Sequence, residues 1–186
     1  MTTTAIVPIR SFEGMNRLAN ALPEDRRATL MVRLARRTTD ALREAGAAVV
    51  VVTGDKAVRD WASQQQFRVV NEPDPPGLDA AASAGLDTAR GRWMVVHADL
   101  PLISVEDIAV AQTALATEDH VLAPSHDGGT SLIGSSWPTF PFSYGPGSFR
   151  RHLALASGAK VMVRPGLALD LDRVVDLTTL RNLRAP

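Results

Sequence analysis

Hydrophobic positions along the chain alternate between two periods. Residues 47–52 contain four consecutive valines, Val49 to Val52, and read as a strand buried on both faces. Further short apolar or β-rich runs at 5–9, 67–70, 93–97, 120–123, 130–133 and 160–163 predict six more strands. Between them lie stretches of helical period. In 23–45 the residues Leu30, Met31, Leu34, Ala35, Thr38, Ala41, Leu42 and Ala45 recur at i, i+3, i+4 and i+7. Pro23 suits the first helical position and Gly46 a stop just past the end. Shorter helices are expected at 55–65, at 78–89 with Gly91 beyond it, from Ser104 as a cap through Val105, Glu106 and Asp107, at 147–157 and at 174–184. Strands that alternate with helices predict an α/β fold with a mainly parallel sheet and helices on both faces.

No internal repeat or low-complexity tract interrupts this order, so residues 1–186 read as a single domain. The proline-rich stretches 72–77 and 137–141 are short enough for loops within it. Lys plus Arg and Asp plus Glu are balanced at 20 each, which argues against a nucleic-acid partner. A neutral chain can still take small anionic substrates with two or three placed cations. There is no cysteine, which excludes disulfides, thiolate metal sites and cysteine nucleophiles. No apolar run reaches the ~18 residues of a membrane span, and the N-terminus does not read as a signal peptide. A cytoplasmic protein without a membrane partner is the expectation.

Ligands of open α/β sheets bind outside the carboxyl ends of the strands, so polar residues just after strands carry the chemical interest. Asp99 ends the central hydrophobic strand, within His97-Ala98-Asp99-Leu100-Pro101. Asp170 and Asp172 lie two apart in Leu169-Asp170-Leu171-Asp172, which in an extended segment puts them on one face. Carboxylates converging at strand ends suit magnesium, which takes one or two of them together with substrate phosphate oxygens. Asp99 as a plain cap and Asp172 as a turn residue are the alternatives, and Asp176 is placed as a first-turn helix acid. Pro124 to Ser131 contains Gly128-Gly129-Thr130. Spacing alone favours a hairpin turn there, although the glycines admit close backbone approach and Thr130 and Ser131 offer hydroxyls. Gly145-Pro146-Gly147-Ser148 delivers Ser148 to a helix start, where free N–H groups attract an anion, with Arg150, Arg151 and His152 one turn on. Spacing alone favours a capped helix whose arginines face solvent. Arg10 and Arg17 follow the first strand in a loop that is neither GxxxxGK[ST] nor GxGxxG. The four histidines show no zinc spacing, no GxSxG elbow exists, and Trp137 reads as a packing residue.

Taken in order, these segments resemble the family that includes 2-phospho-L-lactate guanylyltransferase and phosphoenolpyruvate guanylyltransferase, of the deazaflavin (F-420) coenzyme pathway. The segments that carry the resemblance are Val7-Pro8 with Met15-Asn16-Arg17-Leu18, Gly77-Leu78-Asp79, Asp99-Leu100-Pro101, Gly128-Gly129-Thr130-Ser131, Gly145-Pro146-Gly147-Ser148-Phe149 with His152, and Asp170, Asp172 and Asp176-Leu177. Each is weak alone, and the six stand in the family's order. Three positions depart from the family pattern: Met15 replaces a lysine, Asp79 an asparagine and Ser131 an asparagine.

The resemblance implies a three-layer Rossmann-like, GT-A-like nucleotidyltransferase fold. It implies a magnesium-dependent enzyme that joins GMP from GTP to a small phosphorylated acid (2-phospholactate, phosphoenolpyruvate or 3-phosphoglycerate) and releases pyrophosphate. Asp99, Asp170 and Asp172 would hold magnesium. Arg10 and Arg17 would face the GTP phosphates beside Asp99. Gly77 and Asp79 would lie at the nucleoside, where an aspartate could accept from the N1–H and 2-amino groups of guanine. Thr130, Gly145, Ser148 and His152 would lie at the acceptor. Two other readings stay open: a nucleotidyltransferase with another base or acceptor, and a non-catalytic nucleotide-binding homologue, for which Met15 is the main support. A homodimer also stays open, with Leu132-Ile133 and Phe140 to Tyr144 either at its surface or covering the site.

Overall fold

The computed structural model describes residues 2–184. Its elements in chain order are β1 (Thr4–Pro8), α1 (Glu24–Glu44), β2 (Ala48–Thr53), α2 (Lys56–Gln64), β3 (Arg68–Asn71), α3 (Leu78–Leu86), β4 (Trp93–Val96), α4 (Val105–Ala114), β5 (His120–Pro124), β6 (Thr130–Ser135), α5 (Ser148–Leu155), β7 (Lys160–Val161), α6 (Pro165–Ala168) and α7 (Val174–Arg184). The strands form one seven-stranded sheet in the order β3-β2-β1-β4-β6-β5-β7. All pairings are parallel except those of β6, which runs antiparallel to both β4 and β5.

Alternation along the strands builds the two cores. Ala5, Val7, Met94 and Val96 face one side, where Ala35, Ala41 and Leu42 of α1, Val58 and Ala62 of α2, and Ile108 and Ala111 of α4 cover them. Ile6, Val50, Val52, Trp93 and Val95 face the other, beneath Ala81, Ala82 and Leu86 of α3. The result is the three-layer α/β arrangement that the sequence pattern predicts. α3 lies so close to β1 that a Cβ at Gly85 would stand 2.3 Å from Ile6 Cγ2. A third, smaller cluster of Leu18, Leu34 and Leu171, with Met15, Leu30, Leu177 and Leu180 around it, pins the N-terminal loop between α1 and α7.

Several boundaries differ from the sequence reading. Pro23 is the residue before α1 rather than its first member. The helix expected to 89 ends at Leu86, and the strand expected over 160–163 keeps only Lys160 and Val161. A 3-10 turn at Asn16–Leu18 and the short α6 had no periodic signal. Leu132 and Ile133 are wholly buried in β6, an interior strand of the sheet, so they form neither a dimer surface nor a cover over the site.

Because β6 is antiparallel, its N-terminal residue Thr130 lies at the same sheet edge as the C-terminal ends of β1, β2 and β4. The expected hairpin is present: Ser125 N–H donates to the Gly129 carbonyl (3.0 Å) and Gly128 N–H to the Ser125 carbonyl (3.1 Å). That edge is where the candidate residues gather. Among the described residues, no helix is long and apolar enough to cross a membrane.

Candidate active site

A cleft of three adjoining lobes opens along this edge. A lobe of about 240 Å³ is walled by Pro8, Arg10, Val52, Glu72, Gly77 and Leu78. The next, about 270 Å³, is walled by Arg10, Ser11, Met15, His97, Asp99 and Asp172. The largest, about 480 Å³, is walled by Arg17, Asp127, Thr130, Tyr144, Gly145, Ser148, Asp170 and Arg173, among others. His97 and Leu78 belong to both larger lobes, at their junction.

Asp99 leaves β4 and Asp170 follows α6. The Leu171 N–H donates to the Asp99 carbonyl (3.0 Å), which locks the two loops together. Asp99 Oδ1 is buried and has no hydrogen-bond partner among the described residues. Asp170 Oδ1 is buried too; among the described residues it makes no hydrogen bond and meets only His126 Nδ1, at 3.1 Å. Burial pushes the Asp99 pKa up to about 6, with Asp172, Asp127 and Asp176 adding repulsion. Burial also pushes Asp170 up to about 6, with Asp99 and Asp127 adding to it. Two desolvated, mutually repelling carboxylates are costly to ionise without a cation between them. The donor set therefore suits magnesium completed by substrate oxygens.

The three carboxylates expected from the sequence all wall the cleft, Asp99 and Asp172 in the middle lobe and Asp170 in the largest. Among the described residues no three acidic or histidine side chains converge tightly enough to hold a metal. Leu169 to Arg173 runs between α6 and α7 outside any strand, yet the expected alternation is present: Leu169 and Leu171 are buried, and Asp170 and Asp172 are partly exposed. Asp172 faces the middle lobe with Asp99 and is ion-paired with Arg17. Asp176 has the expected place in the first turn of α7, where its Oδ2 accepts from the N–H groups of Asp172 (3.0 Å) and Arg173 (2.6 Å).

The loop 143–147 forms the far wall. Gly145 and Gly147 have positive φ (105° and 71°), a conformation that L side chains rarely adopt. Arg151 holds the loop from inside: its guanidinium donates to the carbonyls of Ser143, Tyr144 and Pro146. It is therefore committed to the backbone and is neither a free anion-binding cation nor a solvent-facing side chain. His152 is also corrected. Its ring has no exposed surface and both nitrogens have partners, Thr130 Oγ1 and the Ser143 N–H, each at 2.9 Å. Burial lowers its pKa to about 4, so it does not bind a ligand as a cation. Asp79 accepts from the Tyr144 N–H (2.7 Å) and ties α3 to this loop. It is not among the residues walling the three lobes, whereas Gly77 and Glu72 are. Arg10 is exposed at the rim of the two smaller lobes.

Sequence reasoning missed several residues of the cleft, Glu72, His97, Asp127, Tyr144 and Arg173 among them. His97 directly follows β4 and was legible by the strand-end rule; its buried Nε2 has no partner among the described residues, and burial lowers its pKa against the pull of Asp170 and Asp127. Asp127 reads as a turn residue and is one, since its Oδ1 accepts from Ser125 Oγ (2.5 Å) and Gly129 N–H (2.8 Å). It is also the carboxylate whose charge bears on both Asp99 and Asp170. Tyr144 and Arg173 had no local signal.

Comparison with known proteins decides the family. The model of the family described as "Guanylyl transferase CofC like" matches residues 3–179. The chain belongs to that family. A phosphoenolpyruvate guanylyltransferase of Rubrobacter xylanophilus is 36% identical over 193 residues, covering 97% of this chain and 94% of its own. A 3-phospho-D-glycerate guanylyltransferase of Phenylobacterium zucineum is also 36% identical, covering 92% of this chain and 86% of its own. The fold is shared with a solved nucleotidyl transferase of Methanothermobacter (TM-score 0.65, 18% identity, covering 98% of this chain and 97% of that one). As a member of the CofC-like family, the chain is a nucleotidyltransferase.

Proposed function

We propose that the chain is a magnesium-dependent guanylyltransferase that moves GMP from GTP onto the phosphate of a small phosphorylated carboxylic acid. The observation that carries this reading is the pair of buried Asp99 and Asp170 oxygens, without a hydrogen bond, on the walls of the two larger lobes. The names of the CofC-like relatives support the donor and the class of acceptor.

Asp99 and Asp170 would hold the metal, which when bound neutralises phosphate charge and makes the α-phosphorus more electrophilic. The remaining work belongs to the chain's own residues. The smallest lobe, with Gly77, Leu78 and Glu72, takes the nucleoside; Arg10 faces the triphosphate, and Arg17, on the wall of the largest lobe, reaches it from beside its partner Asp172 in the middle lobe. Arg17 exchanges Asp172 for a phosphate at little cost, because their ion pair is exposed. In the largest lobe the hydroxyls of Ser148 and Thr130 hold the acceptor phosphate, with Arg173 on the same wall.

One acceptor phosphate oxygen attacks the α-phosphorus in line. The new P–O bond forms as the bond to the β-phosphate oxygen breaks, and pyrophosphate leaves. A phosphate monoester is already ionised, so no general base is required and catalysis is positioning plus charge neutralisation. The placement is consistent with a place in coenzyme F-420 biosynthesis.

The test is pyrophosphate release from purified protein with magnesium, each nucleoside triphosphate in turn and a panel of phosphorylated acids. Release with GTP and one acid is the expected result. Release with a different triphosphate, or with sugar phosphates alone, overturns the donor or acceptor assignment. Nucleotide binding without release under any pairing supports a non-catalytic homologue.

A further inference from the structure

The wall of the largest lobe contains a chain of hydrogen bonds that ends on a pair of hydroxyls. It starts at the backbone N–H of Ser143, which donates to His152 Nε2 (2.9 Å). That nitrogen must be the unprotonated one, since an Nε2–H would set two donors against each other. In the neutral ring the proton then sits on Nδ1, 2.9 Å from Thr130 Oγ1. The ring stays neutral because burial, outweighing the pull of Asp79, lowers its pKa.

His152 is sealed from the lobe. Tyr144 stands edge-on to its ring at 4.8 Å and Phe140 at 5.9 Å. Whatever His152 does for a ligand, it does through Thr130. Thr130 receives the Nδ1–H on one lone pair. Ser148 Oγ lies 3.3 Å from Thr130 Oγ1, and that contact uses one of the two hydroxyl hydrogens whichever way it runs. One hydroxyl hydrogen is left over, on residues that both wall the lobe. With the opposite tautomer, His152 would accept from Thr130 and draw that hydrogen inward.

We propose that His152 is a positioning residue: by keeping a hydrogen on Nδ1 it leaves the Thr130–Ser148 pair with one outward donor, directed at an anionic oxygen of the phosphorylated acid. This rests on the assignment of the largest lobe to the acceptor, and it adds a basis for selectivity. An acid with an oxyanion at this point takes a charge-assisted hydrogen bond from the outward hydroxyl, whereas a neutral group there gains less.

Two measurements test it. The first needs no substrate: ¹⁵N NMR of the imidazole groups assigns the His152 tautomer between pH 5 and 8. An Nδ1–H ring throughout is expected; an Nε2–H ring overturns the proposal. The second is steady-state kinetics of Thr130→Val, Thr130→Ser, His152→Leu and His152→Asn, with KM for the acid and for GTP determined separately. Losing the fixed direction of the outward hydrogen is expected to raise the acid's KM several-fold in Thr130→Val, which leaves Ser148 without its hydroxyl partner, and in His152→Leu, which leaves Thr130 free to turn inward. The KM for GTP should stay within about twofold, and Thr130→Ser and His152→Asn, which keep the donor, should recover most of the loss. Equal changes in both KM values, or an unchanged KM for the acid in Thr130→Val, overturn it. If His152→Leu does not fold, Thr130→Val and the tautomer decide. If the wild-type protein turns over no acid at all, the proposed function falls by itself. Inorganic phosphate then serves as the probe, and its affinity must drop in Thr130→Val while the Nδ1–H tautomer stands.

Discussion

The Leu171 N–H and the Asp99 carbonyl are joined by a 3.0 Å hydrogen bond between distant parts of the chain, and this one contact brings the carboxylates of Asp99 and Asp170 to the same cleft. Both side chains are then held where burial opposes their charge.

Replacing one of them separates function from stability. Asp99→Asn keeps the shape and removes a buried charge. Turnover is expected to fall at least about 100-fold, since even residues behind metal ligands cost 10- to 100-fold when replaced. The melting temperature at pH 7.5 without divalent cation is expected to rise. Calorimetry beside the pyrophosphate assay checks both, and a fall in melting temperature would contradict the strained-carboxylate account.

The same strain sets a pH dependence. The folded-state pKa values of Asp99 and Asp170, about 6, lie above the ordinary value of 3.8. The folded protein thus holds more protons than the unfolded chain between those limits, and this pair's contribution to stability falls as pH rises through that window. Without divalent cations, the destabilisation is fully present above pH 6 and absent below about 4. Magnesium is expected to raise the melting temperature at pH 7.5 and to have little effect at pH 4.5. A shift of equal size at both pH values would place the ion elsewhere.

Arg17→Ala removes an exposed ion pair with Asp172. Its stability cost is expected to be at most about 1 kcal/mol. If Arg17 serves the triphosphate, the KM for GTP rises several-fold while the KM for the acid does not. Denaturant titration and separate KM measurements distinguish this from a purely structural role.

Arg151→Ala leaves three loop carbonyls without their shared donor. A loss of about 1–3 kcal/mol is expected. The KM for the acid should rise with the loosening of Gly145 to Gly147, and faster amide exchange confined to 143–147 would show the cause. Arg150→Ala, on an exposed neighbour, is the control that should change neither.

The periodic parts of this protein were legible without coordinates. A valine run and alternating strands can only be covered from both faces, and α1 shows its buried stripe at helical spacing, so the layers follow from local pattern. The ordered motifs likewise pointed to Asp99, Asp170, Thr130 and Ser148. The partners of those residues were not legible. Whether Asp172 meets a metal or Arg17, whether His152 faces a ligand or Ser143, and whether Asp79 meets a base or the Tyr144 amide depend on loops that approach from 9 to 155 positions away. Such contacts leave no period in the sequence. Leu132 and Ile133 show the same limit: an apolar pair reads alike on a surface and in a central strand, and only the antiparallel insertion of β6 between β4 and β5 buries it. Burial and hydrogen-bond supply, which decide the charge and proton position of each side chain, are properties of the assembled cleft. The sequence alone determined which chemical groups are present and on which kind of element; the tertiary structure decided which of them are free to act.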